Sequence, residues 1–194
     1  MAIVKPSSPP EVLTFEQYMA EGEINRRYDI IDGVRIFMPG PTWKHQRIAD
    51  KITRSLLAYE EKSGVGMAFS APFDILIRRV PKLQTRQPDV FFITHQTLTR
   101  GGGIPEKGVL QVAPELVVEI LSDSETERRV GDKLTDYISI GVKEAWLVRP
   151  ETRTVEVLRL TPNGPVSAAT YDQTQTLQSL TFPDLTVAVA DFFK

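Results

Sequence analysis

Two acidic side chains sit where an acid is costly to keep. Glu119 interrupts Leu116-Val117-Val118-Glu119-Ile120-Leu121, an apolar run without alternation that predicts a strand buried on both faces. Burying an ionised carboxylate there is unfavourable unless a cation or a strong hydrogen-bond donor meets it. The other reading is a glutamate facing water on a one-sided sheet, and the apolar Val117 on the same face argues against it. Asp89 opens a second apolar run, Val90-Phe91-Phe92-Ile93, directly after Pro88, whose ring fixes φ and removes a backbone donor. By itself Asp89 reads equally well as turn chemistry, as Pro183-Asp184 does in the tail. Together, two strands each carrying a carboxylate near one end can converge on one divalent ion and leave positions for water and a phosphate oxygen. The chain has no cysteine and two histidines, which excludes disulfides, thiolate nucleophiles, iron–sulfur clusters and the usual structural zinc sites. The ion expected at Asp89 and Glu119 is therefore a hard one, Mg²⁺ or Mn²⁺.

Lys133 lies on the helix that follows Glu119. At 100° per residue it borders the apolar arc of Val130, Leu134, Tyr137 and Ile138. From there its ammonium can reach the strand end carrying Glu119, orienting water and offsetting charge on a phosphorane-like transition state. A snorkelling surface lysine is the equal alternative. His45 falls on the inward side of the preceding helix, beside Ile48 and Ile52, as a core histidine would. Arg78, Arg79, Lys82 and Arg86 form an acid-free stretch leading into Asp89, a candidate strip for a polyanionic backbone, although charged hairpin tips are more often merely solvated. Lys44, Arg47, Lys51 and Arg54 make a second basic row. His95 falls in a polar loop, and Gly101-Gly102-Gly103 lacks the context of a phosphate loop.

These residues need elements to position them. Thr14 and Gln17 form a capping box for a short helix with Phe15, Tyr18 and Met19. Tyr28–Ile31 and Val34–Met38 flank Asp32-Gly33, a strong hairpin-turn signal. Thr42 caps a helix with Ile48, Ile52, Leu56 and Tyr59 on one face. Strands follow over Met67–Ile77, Asp89–Ile93 and Leu116–Leu121. Ser124 with Glu127 suggests a second capping box, opening a helix that Gly141 ends. Ala145–Val148 and Val155–Leu160 read as a hairpin, and Leu177–Phe193 alternates weakly. The order predicts an α/β (α+β) layer of helices on a mixed sheet.

At 194 residues and 41% apolar composition, one domain over 13–194 is expected, preceded by a Pro- and Ser-rich arm over 1–12 too polar to order itself. The arm has no apolar stretch of signal-peptide or membrane-helix length, so a cytoplasmic protein without membrane partners is expected. A formal charge of −2 argues against a broad basic coat for nucleic acid and leaves room for a local phosphate strip.

Pro88-Asp89, then Glu119 in an apolar strand, then Lys133 on the next helix resembles the PD-(D/E)XK nuclease superfamily. Tyr28 to Gly33, Lys44 to Ile48, Arg86 to Val90, Pro114 to Ser122, Lys133-Leu134 with Tyr137, and Gly141 to Trp146 are similar to one branch of it, the Uma-two family of restriction endonucleases, over nearly the whole chain from Thr14. The resemblance implies a restriction-endonuclease-like fold and a divalent-metal centre that hydrolyses phosphodiester bonds in DNA. It implies Asp89 and Glu119 as metal ligands and Lys133 as the catalytic lysine. The superfamily usually carries that lysine two residues after the acid; that position is Leu121 here, so the role passes to the helix. The branch commonly has Glu where this chain has Asp29, which with His45 is expected in a supporting role. Asp74 is a further carboxylate able to replace one of the ligands. By analogy a homodimer is expected, since cutting both strands of a duplex takes two centres. Two rivals stay open: a nuclease-fold module that binds DNA or metal with weak or no turnover, and a metal-free protein in which Lys133 neutralises Glu119 as a buried ion pair.

Overall fold

A computed structural model describes residues 12–22, 24, 26–105, 108–122 and 125–194. Residues 1–11 of the expected arm, and Ser124 of the expected second capping box, lie outside the described residues.

Helix α1 (Phe15–Ala20) starts at Thr14, whose hydroxyl accepts from Gln17 N while the Gln17 side chain accepts from Thr14 N, the reciprocal box its residue types predict. Strands β1 (Tyr28–Ile31) and β2 (Val34–Phe37) pair antiparallel around Asp32 and Gly33, at φ 50° and 80°. Positive φ at both central residues is the turn that matches the twist of two strands. Helix α2 (Trp43–Ser63) is capped by Thr42 and stopped by left-handed Gly64, and it buries Ile48, Ile52, Leu56 and Tyr59.

The single strand expected over Met67–Ile77 is two. Strand β3 (Gly66–Ser70) and strand β4 (Ile75–Arg78) belong to different sheets, separated around Ala71-Pro72, because proline has no N–H to continue a ladder. The basic connection expected after it contains strand β5 (Gln84–Arg86), and strand β6 (Val90–Thr94) follows. His95 is not in a loop: it opens helix α3 (His95–Arg100), capped by the Thr94 hydroxyl accepting from Thr97 N. Strand β7 (Leu116–Ile120) leads to helix α4 (Glu127–Ile140), whose observed N-cap is Thr126, its hydroxyl accepting from Arg129 N, one of the four unpaired donors of the first turn. Gly141 ends α4 at φ 96°. Strands β8 (Glu144–Arg149), β9 (Thr154–Thr161) and β10 (Gly164–Asp172) follow, then β11 (Thr176–Gln178), β12 (Thr186–Ala188) and a 3-10 turn over Val189–Phe193. The weakly alternating tail thus folds as a small hairpin, and β10 extends the meander beyond the expected pair.

The main sheet runs β10-β9-β8-β7-β6-β3, with β7 and β8 parallel across α4 and the other neighbours antiparallel; β2-β1-β5-β4 form a second sheet. This is the expected mixed sheet flanked by helices. Alternation divides its side chains cleanly. Val90, Phe92, Val118 and Ile120 pack with Ile48, Ile52 and Leu56 of α2, while Phe91, Ile93 and Val117 pack with Leu134 and Tyr137 of α4. Every residue of β7 is buried, so Glu119, odd-numbered like Val117, faces α4 through an apolar layer.

Candidate active site

Strands β6 and β7 set the site. Val90 is opposite Val118, the last antiparallel pair at this end of the ladder, and Asp89 and Glu119 each lie one residue beyond it. Asp89 tightens that end further, its Oδ2 accepting from Ile120 N at 2.7 Å. The two acids are 4% and 2% exposed.

Glu119 is met from α4. Tyr137 Oη donates to Oε1 at 2.5 Å and Lys133 Nζ to Oε2 at 2.7 Å. Lys133 and Tyr137 are four residues apart and therefore share one helix face. Lys133 also reaches Glu125 Oε1 at 2.9 Å. Burial pushes the Glu119 carboxyl up; Lys133 opposes this and the nearby Asp89 charge adds to it, leaving it above the usual carboxylate range. Burial alone would lower the Lys133 ammonium, but Glu119 and Glu125 outweigh it and hold the group above its ordinary value. Lys133 is thus a cation at neutral pH.

Asp89 is met from the other side. Arg27 Nη1 lies 2.5 Å from Oδ1, its Nη2 donates to the Gln87 carbonyl at 2.8 Å, and His45 Nε2 lies 3.4 Å from Oδ2. Burial would raise this carboxyl; His45, Arg27 and the Ile120 amide together bring it down to about 2. Arg27 is a residue the sequence reading missed. It precedes β1 by one position and meets Asp89 across 62 positions of sequence, with no periodicity or motif to announce the pairing. His45 comes to Asp89 from the first turn of α2, its ring directed into the site rather than into the apolar core.

The remaining candidates are placed further off. Asp29 accepts from Arg86 Nη1 at 2.7 Å and from Gln87 N at 3.2 Å, and Arg86 Nε also holds Asp136 Oδ2 at 2.7 Å. Arg86 is therefore a buried strut between β1, β5 and α4, with no face toward solvent phosphate. Asp74 sits in a separate buried network of Tyr18, Tyr28, Thr85 and Gln87, where burial raises its carboxyl despite those four donors. Arg78 donates to Asp32 and Gln84, and Arg79 lies 3.9 Å over the Phe15 ring and bonds Gln111. Lys82 is exposed. Arg78 closes β4, and Arg79 and Lys82 lie in the connection from β4 to β5, away from the cavity that Asp89 lines.

That cavity, of about 730 Å³, is lined by Arg26, Arg27, Met38, His45, Asp50 and Asp89, among others. Among the described residues no three His, Cys, Asp or Glu side chains are grouped to hold a metal ion. The donor chemistry nevertheless fits a magnesium-like ion, which keeps several waters and takes one or two carboxylates plus substrate phosphate oxygens rather than a full protein cage. The Arg27 guanidinium already stands as a cation against Asp89, and the Lys133 ammonium against Glu119. The paired acids thus demand positive charge from both sides.

A crystal structure titled as that of "a putative nuclease belonging to DUF820" from Anabaena variabilis ATCC 29413 is similar in fold, with a TM-score of 0.75 and 19% identity over 93% of this chain and 97% of that one. Among curated proteins none matches the chain. Residues 14–190 match the family model Uma2, described as "Putative restriction endonuclease". The chain belongs to the Uma2 family.

Proposed function

We propose that this protein is a divalent-metal-dependent endonuclease that hydrolyses phosphodiester bonds in DNA, with Asp89 and Glu119 holding Mg²⁺ or Mn²⁺ and Lys133 completing the centre. The observation that carries the reading is that Asp89 Oδ2 accepts from Ile120 N, the residue after Glu119, at 2.7 Å, with the Lys133 ammonium 2.7 Å from Glu119. A bound divalent ion supplies Lewis-acid polarisation of a phosphoryl oxygen and makes a water more acidic.

The chain's own residues do the rest. Lys133, held as a cation by Glu119 and Glu125, donates hydrogen bonds: it orients a water and stabilises negative charge growing on the phosphoryl oxygens, and it does not accept a proton. Tyr137 fixes Glu119 from below and His45 fixes Asp89 from α2. Asp29 acts through Arg86 and Gln87 N to steady the segment that leads into Asp89, and Asp74 does so through the Gln87 side chain. Arg78, Arg79 and Lys82 are kept as outlying phosphate contacts. A homodimer working in the cytoplasm completes the reading; no helix among the described residues is long and apolar enough to cross a membrane.

A plasmid-nicking assay with Mg²⁺ or Mn²⁺ tests it. Asp89→Asn, Glu119→Gln and Lys133→Met are each expected to lower the rate by about 10²-fold or more, the loss seen when a charge-stabilising group is removed from a transition state. Unchanged rates in all three variants would end the assignment. The two ion pairs, Arg27 with Asp89 and Lys133 with Glu119, favour one rival: a metal-free protein in which Lys133 neutralises Glu119 as a buried ion pair. Thermal stability unaffected by Mn²⁺ would support that rival, since a ligand of the folded state raises its melting temperature.

A further inference from the structure

Trp43 is 80% exposed at the start of α2. A lone exposed hydrophobic residue is ordinary, but this one has a particular position. Trp43, Gln46, Asp50 and Thr53 recur at helical spacing, and the last three line the cavity that contains Asp89. Trp43 thus lies about one turn before the cavity-lining Gln46, on the same side of α2. A second aromatic borders the cavity: Phe37, partly exposed, adjoins the cavity-lining Met38, and the Arg26 guanidinium lies 4.3 Å from its ring centre.

Arginines converge on this rim from separate elements. Arg26 and Arg27 line the cavity, and Arg129 of α4 contacts Met38 Sδ at 3.7 Å. The acids there are already engaged, Asp50 by Arg47 and Arg54 and Asp89 by Arg27. In a chain of net charge −2 this is a local field of opposite sign. Exposed rings interleaved with guanidinium groups are the chemistry of single-strand binding, where base faces stack and phosphates meet cations. The cavity also selects by shape. Asp89 is 4% exposed, so a phosphodiester must enter to reach it; duplex DNA, stiff over about 150 base pairs, does not turn one phosphate inward as an unpaired strand does.

We propose that the cavity mouth binds an unpaired stretch of nucleic-acid strand, with a base stacked on Trp43 and phosphates held by Arg26 and Arg129. This names the substrate class of the nuclease site and rests on that reading.

The protein has two tryptophans, and Trp146 is fully buried, so quenching of fluorescence by a stacked base reports Trp43. Oligothymidylate, oligouridylate and a blunt duplex of equal length are titrated into the 194-residue chain in chelator. Single strands of either sugar are expected to quench Trp43 and to bind about tenfold or more tightly than the duplex. Trp43→Ala, read by anisotropy of a labelled strand, is expected to weaken that binding about tenfold, the usual effect of losing one stacking platform. Trp43→Phe, which keeps a ring, recovers most of it. Duplex binding as tight as single-strand binding, no binding, or a Trp43→Ala variant that binds like the parent would overturn the proposal. Chelation separates the two readings: strand-selective quenching without any metal-dependent cleavage of those same single strands sinks the nuclease and keeps the surface, whereas cleavage of duplex that ignores Trp43 does the reverse.

Discussion

Arg27 lies against Asp89, Nη1 to Oδ1 at 2.5 Å, while its Nη2 bonds the carbonyl of Gln87 two residues before that acid. One guanidinium thus occupies the position in front of the carboxylate where a metal ion would place its charge. Two cations cannot share that position without repulsion, so ion binding at Asp89 has to displace or swing aside Arg27.

The competition has a measurable consequence. Arg27→Gln removes the resident charge, and the Mn²⁺ concentration giving half of the thermal shift should fall by about tenfold, equivalent to about 1.4 kcal/mol. In chelator the same variant should be less stable than the parent by about 1–3 kcal/mol, because Asp89 keeps His45 and Ile120 N and loses its charged donor. An Mn²⁺ midpoint that does not move would mean that Arg27 and the ion do not compete.

Tyr137 gives a second test. Its hydroxyl donates to Glu119 Oε1 at 2.5 Å in a fully buried setting, and Tyr137→Phe deletes that oxygen while keeping the ring in the α4 face of the core. The variant should lose about 1–3 kcal/mol in urea unfolding, the cost of a buried acceptor left without its partner. Nicking should slow as well, since Glu119 is then held by Lys133 alone. A stability equal to the parent's would show that the hydroxyl contact contributes nothing.

Acid should loosen the protein through Asp89. Its folded value is about 2 against an ordinary 3.8, so the unfolded chain takes up the proton first as pH falls. The resulting stabilisation is fully present above about pH 4 and is lost as pH drops through about 2, amounting to something on the order of 2 kcal/mol. Unfolding measured in chelator across that window should steepen for the parent and flatten for Asp89→Asn. Identical slopes for the two proteins would remove Asp89 from the account of acid sensitivity.

What could be read in the sequence follows from range. Local chemistry was legible: the Thr14–Gln17 box, the Asp32-Gly33 turn, the Thr42 cap and the Gly141 stop are all set by neighbours within four residues. The doubly buried β7 was legible because its run lacks alternation, and Lys133 because helical spacing fixes its side. Long-range pairing was not. Arg86 looks like a surface charge until Asp29 and Asp136 are brought to it from 57 and 50 residues away, and Arg27 is equally silent. Strand β5 was hidden by its polar sequence, Gln84-Thr85-Arg86, which is buried through those side-chain partners rather than through apolar content. The division of β3 from β4 was marked by Pro72, a signal that strand propensity on both sides obscured.

Glu144 supplies the last test, away from the cavity. It is fully buried, and its carboxylate gathers four donors: Oε1 accepts from Trp146 Nε1 at 2.7 Å and Leu180 N at 3.1 Å, Oε2 from Ser179 Oγ at 2.9 Å and Thr181 N at 2.7 Å. One side chain thereby ties β8 to the turn between β11 and β12, whose Leu177, Phe182 and Leu185 pack into the same core as α2. Glu144→Ala strips all four donors of their acceptor and should cost about 4 kcal/mol, in the exceptional range for a single substitution. Glu144→Gln keeps the shape but turns an amide N–H₂ toward two donors, and about half that loss is expected. Urea midpoints with unchanged m-values measure both. If alanine is tolerated within about 1 kcal/mol, the four bonds are replaced by water and the C-terminal hairpin is held by its apolar contacts instead.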